Sequence, residues 1–169
     1  CGHGQSGQRL AVALDRLGYA TVVIDPNAER LRSLLVRDHA QPAIGTVGDA
    51  RLPDLLETAG IRRGNCQGLV VLTADDEATQ TIAIEGRVLA PDLPVLVRVK
   101  SPTAQQTLAD FGGVTIVNPF ETFAFNFGLA LDKPDSLRLE EWLTGVPDAE
   151  PPPRIEVPLL AIVADRDAI

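Results

Sequence analysis

Seven residues at the start of the chain, Cys1-Gly2-His3-Gly4-Gln5-Ser6-Gly7, have the types and spacing to hold phosphate. In a Gly-x-Gly-x-x-Gly run the first glycine, Gly2, permits a tight turn. The second, Gly4, lets backbone approach a pyrophosphate, and the third, Gly7, allows close helix packing. The helix expected over about Gln5 to Leu17 would aim its free N–H groups and positive dipole end at phosphate oxygens. This spacing alone is a weak signal. It gains force when a following strand ends in an acid roughly 20 residues on, where a carboxylate can hold ribose hydroxyls. Ala20-Thr21-Val22-Val23-Ile24 reads as that strand, and Asp25 closes it. No arginine immediately follows Asp25, so a 2′-phosphate would meet negative charge without a counter-charge. That favours NAD or a simple adenine nucleotide over NADP.

Other strand ends carry charge as well: Asp49 in Gly48-Asp49-Ala50, Asp75 in Thr73-Ala74-Asp75-Asp76, and Arg98 after Val95-Leu96-Val97. Strand ends of a parallel sheet collect at one edge, and ligands bind there where strand order reverses. Acids for hydroxyls and the amino edge, with an arginine for phosphate, suit an adenosine ligand. Plainer roles stand beside these: Asp49 and Asp75 as helix caps, Arg98 as the partner of a neighbouring acid. Ser6 reads as a donor to phosphate, because Gly4-Gln5-Ser6-Gly7 lacks the Gly-x-Ser-x-Gly spacing of a hydrolase elbow. The His3 side chain is expected to face solvent, with ligand contact as its alternative. His3 and His39 are far apart and neither sits in a His-x-x-x-His pattern, while Cys66, in a turn, reads as structural. No group obviously performs a reaction, so the chain reads as a binding domain and not an enzyme.

The elements that must position these residues alternate. Leu10, Leu14 and Leu17 recur at i, i+4 and i+7 on the first helix, and Gly18 stops it. Asn27 is expected to cap a second helix through about Asp38, with Leu31, Leu34 and Leu35 facing inward. A strand over Ala43 to Val47, a helix over about Leu52 to Thr58 and a turn over Gly60 to Gly64 follow. Gly68-Leu69-Val70-Val71-Leu72 is apolar without alternation, as a strand buried on both faces should be. A helix over about Asp76 to Ala90 precedes the strand Val95 to Arg98. Ser101-Pro102 then places a cap and a first-turn proline at the head of a helix to about Phe111, and Val114 to Val117 is the last strand. Right-handed crossovers through such an alternation give an α/β fold, a Rossmann-like doubly wound parallel sheet over residues 1–118.

Beyond Pro119 the pattern changes. Phe120, Phe123, Phe125 and Phe127 are four of the chain's five phenylalanines. At helical spacing they occupy most of a circumference, so the helix needs cover on more than one side. That cover is either the chain's own following segment or a partner subunit. Residues 119–145 read as this apolar helix and a following short helix, Ser136 to Leu143, with Leu139, Trp142 and Leu143 on one face. Residues 146–154 read as a proline-rich linker, and 155–169 as a strand-like tail that could open a second lobe.

At 169 residues, 45% of them apolar, the chain is long enough to bury a real core. Its net charge of −8 argues against a nucleic-acid surface, which needs clustered Lys and Arg. Two cysteines make no disulfide framework, and a reducing cytosol is the simplest setting. No apolar run approaches the roughly 18 residues that cross a bilayer. The chain opens at Cys1 without an initiator Met or the apolar strand that should feed the glycine loop, so it reads as a piece of a longer polypeptide.

With these residues in hand, the chain resembles the N-terminal nucleotide-binding lobe of the RCK family, also called TrkA-N or KTN domains, cytoplasmic regulators of potassium channels and transporters. The likeness runs from the glycine loop through Val23-Ile24-Asp25, Gly48-Asp49-Ala50, Ala59-Gly60-Ile61 and Val70-Val71-Leu72-Thr73-Ala74-Asp75-Asp76-Glu77. It continues to Pro91-Asp92-Leu93 and Val117-Asn118-Pro119-Phe120, about 130 residues in all. The resemblance carries nucleotide contacts onto Gly2, Gly4, Gly7, Asp25, Asp49, Thr73, Asp75 and Arg98. Their neighbours His3, Gln5, Ser6, Asn27, Ala50 and Ala74 complete the candidate set. It implies NAD(H), AMP, ADP or ATP as ligand, and it permits a divalent cation without locating one. It further implies a homodimer through the crossover helix Phe120–Leu131, higher oligomers, a membrane potassium pore as partner, and a place on the cytoplasmic side of the membrane. The rival readings are a fragment of an NAD-dependent oxidoreductase and an assembly module whose nucleotide pocket is empty.

Overall fold

A computed structural model of the chain describes residues 1–36 and 38–132, together with the single residues 138 and 141. The short helix, linker and tail expected beyond residue 132 otherwise lie outside the described residues. Two compact units divide the chain, Cys1–Phe120 and Glu121–Ile169.

In the first unit the expected alternation appears as α1 (Gln5–Arg16), β1 (Thr21–Asp25), α2 (Ala28–Val36), β2 (Ala43–Val47) and α3 (Pro53–Thr58). It continues through β3 (Leu69–Val71), α4 (Asp76–Leu89), β4 (Val95–Arg98), α5 (Pro102–Phe111) and β5 (Thr115–Val117). All strand pairs are parallel. β1 runs beside β2 in the register Thr21↔Ala43 to Asp25↔Val47, and β3, β4 and β5 lie side by side in that order. The two half-sheets are joined by the backbone of Cys1 and Gly2. The Gly2 N–H donates to the Ile24 carbonyl at 2.8 Å, and the Leu72 N–H donates to the Cys1 carbonyl at 2.8 Å. The Cys1 nitrogen donates to the Val70 carbonyl at 2.6 Å. The sheet therefore winds outward in both directions from Cys1–Gly2, a doubly wound Rossmann-like arrangement with its switch point at the glycine loop.

The main core gathers Val71, Val95, Val97, Val99, Leu56, Ile82 and Leu108 between the strands and the helices α3, α4 and α5. A smaller cluster holds Val23, Leu31 and Leu34, with Ala43 against it. The helix faces differ from expectation at two places. α1 buries its small residues, Gly7 and Ala11, while Leu17, beyond the last helical residue, is 71% exposed. Close approach of α1 to the loop selects glycine and alanine over leucine there. In α2 the buried stripe is Leu31 and Leu34, whereas Leu35 lies one helical step past it and is 85% exposed. Gly45 explains the close seat of α2 on β2, since a Cβ there would stand 3.3 Å from the Leu31 Cβ. The Ser101 cap of α5 is present: its side chain accepts the Ala104 N–H at 3.2 Å, with Pro102 opening the helix.

The second unit contains most of α6 (Pro119–Asp132), none of whose residues is buried. Phe120, Phe123, Phe125, Phe127 and Leu131 are all more than half exposed. The rings of Phe123 and Phe127 stack with centroids 5.6 Å apart.

Candidate functional site

The glycine loop has the geometry its spacing promised. Gly2 adopts φ +88°, and a Cβ there would stand 2.9 Å from the Leu72 carbonyl group, so no other residue fits without strain. A Cβ on Gly7 would collide with the Gly2 carbonyl oxygen, which is why α1 can begin directly against the loop. Gly4 is the N-cap of α1, extended at φ −72° and ψ −167°. It supplies no capping side chain, and nothing lies within 4 Å of where its Cβ would be. The first turn of α1 also contains no acidic residue. An α-helix N-terminus with free N–H groups, a positive dipole end and no carboxylate of its own is built to accept an anion.

Asp25 stands at the end of β1 but faces the protein, not a crevice. It is 1% exposed; Oδ2 accepts the His3 main-chain N–H at 2.6 Å and Oδ1 accepts the Asn27 N–H at 2.8 Å. The Arg30 guanidinium lies 3.6 Å away. In this geometry Asp25 braces the glycine loop against the start of α2. The nearest exposed polar side chain in sequence is that of Asn27, whose Oδ1 accepts the Glu29 N–H at 2.9 Å and caps α2. The expected solvent-facing His3 side chain is corrected: the residue is 1% exposed, and Nε2 lies 3.0 Å from the Ser33 hydroxyl. A loop that turns at Gly2 has no room to send both neighbours outward, and the His3 ring falls beneath it onto α2.

Arg98 crosses the mouth of the loop. Its Nη1 donates to the Ser6 hydroxyl at 3.1 Å, and Nη2 donates to the carbonyls of Leu72 at 3.2 Å and Thr73 at 2.8 Å. The one guanidinium therefore ties the first turn of α1 to the end of β3, and no acid partners it among these bonds. Gln5 and Ser6 are exposed beside it. Thr73 shares its hydroxyl with Thr79 at 2.6 Å, and the exposed Ala74 presents its carbonyl to the Lys100 ammonium, also at 2.6 Å. Asp75 caps α4, accepting the N–H groups of Glu77 at 3.2 Å and Ala78 at 3.3 Å. Asp49 is held by Arg51, whose Nε and Nη2 both reach it, the latter at 2.6 Å. Hydrogen bonds from the Arg51 side chain and then its backbone keep the Asp49 carboxyl below its usual range. The Ala50 side chain is in the core. Among the described residues no group of three His, Cys, Asp or Glu side chains is arranged to hold a metal ion.

Three participants escaped the sequence reading. Arg51 had a signal, an Asp-x-Arg step at a strand end. Lys100 followed the noted Arg98 by two residues. Asp76 was read only as a helix starter, yet it accepts the N–H groups of Lys100 and Ser101 and so joins β4's exit to α4. Burial pushes the Asp76 carboxyl up, and the Ser101 and Lys100 N–H donors with the Lys100 charge outweigh it, leaving the pKa lowered.

Known proteins resemble this chain over the same stretch. Potassium channel protein 1 of Methanocaldococcus jannaschii is 26% identical over 120 residues, spanning 71% of this chain and 35% of that protein. The chain thus spans about a third of the curated relative's length. The crystal structure of GsuK bound to ADP is 27% identical with a TM-score of 0.63, covering 78% of this chain and 32% of that one. The GsuK channel bound to NAD gives 27% and 0.64, over 83% and 24%. The TrkA-N domain of the inner membrane protein YbaL from Escherichia coli shares the fold at 20% identity and a TM-score of 0.66, over 78% of this chain and 93% of that one. The TrkA-N domain model matches residues 1–119, the unit built around the glycine loop, and the chain belongs to that family.

Proposed function

We propose that this chain is a ligand-sensing regulatory domain that binds an adenine nucleotide, NAD(H) or AMP, ADP or ATP, and couples its occupancy to potassium flux through a membrane channel or transporter. The observation that carries this reading is the uncapped, acid-free N-terminus of α1 behind an open Gly4, with Arg98 across its mouth. The likeness to GsuK, solved with ADP and with NAD, supports it.

In this reading phosphate sits on the N–H groups of Gly4 to Ser6 and draws Arg98 Nη1 from Ser6. Asn27, at the head of α2, faces the ribose in place of the inward-turned Asp25. Asp49, Thr73, Ala74 and Asp75 line the nucleoside side, with Ala50 contributing backbone only. Residues 1–118 are the sensing lobe, and Phe120–Leu131 forms the contact with a second copy. Residues 146–154 link to a strand-like tail at 155–169, and the domain works on the cytoplasmic side of the membrane. It performs no chemistry: the ligand favours one dimer geometry by its differential affinity, and the linked pore responds.

A thermal-shift panel with NAD, NADH, AMP, ADP, ATP and NADP tests this directly. A ligand at about 100 times its dissociation constant should stabilise the fold by roughly 2.7 kcal/mol, well within detection. A shift with an adenine nucleotide that Arg98→Ala reduces supports the reading. No shift with any of the six refutes it.

A further inference from the structure

His3 is tied at both ends to the connection that follows β1, its main-chain N–H to Asp25 and its ring to Ser33 on the second turn of α2. The Ser33 hydroxyl donates its proton to the Arg30 carbonyl at 2.9 Å. Its bond with the imidazole at 3.0 Å is therefore made by the Nε2–H of His3, with Ser33 Oγ accepting. That bond calls for a proton on Nε2, while Nδ1 is turned toward Gly7. The ring is fully enclosed. Beside it is a cavity of about 20 Å³ lined by His3, Gln8, Ala11, Ser33, Leu34 and His39, room for a single water.

We propose that His3 and Ser33 form a positioning pair that sets the glycine loop against α2, so that the phosphate-holding and ribose-holding halves of the crevice keep the spacing of one nucleotide. The proposal rests on the nucleotide reading above. Neither side chain touches the ligand. The loop carries the phosphate site at the head of α1, Asn27 carries the ribose site at the head of α2, and the imidazole is a second side-chain link between them, one turn further along α2 than the Asp25 carboxylate. A ligand that spans both halves feels the link; one that occupies only the nucleoside half does not.

The test uses the full 169-residue chain, with calorimetric titration of ADP and of adenosine and ¹⁵N spectra of its histidines. In the free chain His3 should be the Nε2–H tautomer, and Ser33→Ala should move its ring nitrogen resonances. Ser33→Ala should weaken ADP roughly three- to tenfold, the factor one net hydrogen bond supplies, and leave adenosine unchanged. Ser33→Thr, which keeps a hydroxyl, should restore ADP affinity. An Nδ1–H tautomer, or equal losses for ADP and adenosine, overturns the pair. Unchanged ADP affinity in Ser33→Ala, with normal binding by the unsubstituted chain, also overturns the pair alone. An unsubstituted chain that binds neither ligand overturns the nucleotide reading, and the spacing role with it.

Discussion

Replacing Asp25 by Asn decides whether this acid serves the loop or the ligand. The carboxylate accepts two main-chain N–H groups, from His3 at 2.6 Å and Asn27 at 2.8 Å, in a site 1% exposed. Hydrogen bonds to a charged acceptor are worth about 1.5–3 kcal/mol each, against about 0.5–1.5 for neutral ones. An asparagine has nearly the same shape but only one acceptor oxygen. One N–H keeps a neutral bond and the other faces an NH₂ group, leaving a buried donor unsatisfied at about 1–3 kcal/mol. The Arg30 contact at 3.6 Å is half exposed and adds little. The sum is a loss of about 3 kcal/mol, or a melting temperature lower by roughly 6–12 °C in a domain of this size. Urea unfolding followed by far-ultraviolet circular dichroism, with and without ADP, is the assay. A lower midpoint at unchanged slope is expected before any ligand is added. If Asp25→Asn unfolds at the wild-type midpoint and loses only nucleotide affinity, Asp25 is a ribose ligand and the bracing role is wrong.

Further outcomes follow from other parts of the molecule. Gly7→Ala drives a methyl into the Gly2 carbonyl, backbone against backbone, and should cost about 1–3 kcal/mol of stability together with ADP binding. Because the Asp76 pKa is lowered, its contribution to stability is fully present above the unfolded value near 3.8 and fades as pH falls through the folded value. The stability gap between wild type and Asp76→Asn should therefore be constant at neutral pH and narrow below about pH 4 in acid titrations of the urea midpoint. On the proposed pairing of two copies through α6, Phe123→Asp with Phe127→Asp removes the stacked pair and should lower the mass in sedimentation equilibrium from that of two copies to that of one. An unchanged mass would exclude α6 as the contact.

The strand and helix sequence was legible because the parallel strands are short apolar runs, stopped by a charge at Asp25 and Arg98, by glycine at Gly48 and by polar residues at Thr73 and Asn118. The loop glycines were legible for the same reason that they are glycines: Gly2 and Gly7 each sit where a Cβ has no space. Orientation was not. An acid at position 25 is called for whether its oxygens point at a sugar or at the His3 N–H, and spacing cannot separate the two. His3 hid for a related reason, since alternation of exposure fails in a loop that turns on a positive-φ glycine. Helix phase misled where the stripe was narrow, placing Leu35 inside when the buried pair is Leu31 and Leu34. Arg51–Asp49 is local and its Asp-x-Arg step was there to be read, whereas the Lys100–Ala74 contact depends on neighbouring strand ends. Such neighbours are known only once the sheet order is.

The bare aromatic face of α6 also bears on how much of this chain a cell can keep. Phenylalanine rings in water are the features by which chaperones and proteases recognise unfinished proteins, and large exposed apolar surface invites aggregation. When a partner covers such a surface, apparent stability rises with concentration by mass action. Copies made in excess of their partners would then be cleared first, and copies made in balance would persist. On the proposed pairing through α6, the steady amount of this chain would track the amount of the partner that covers that helix.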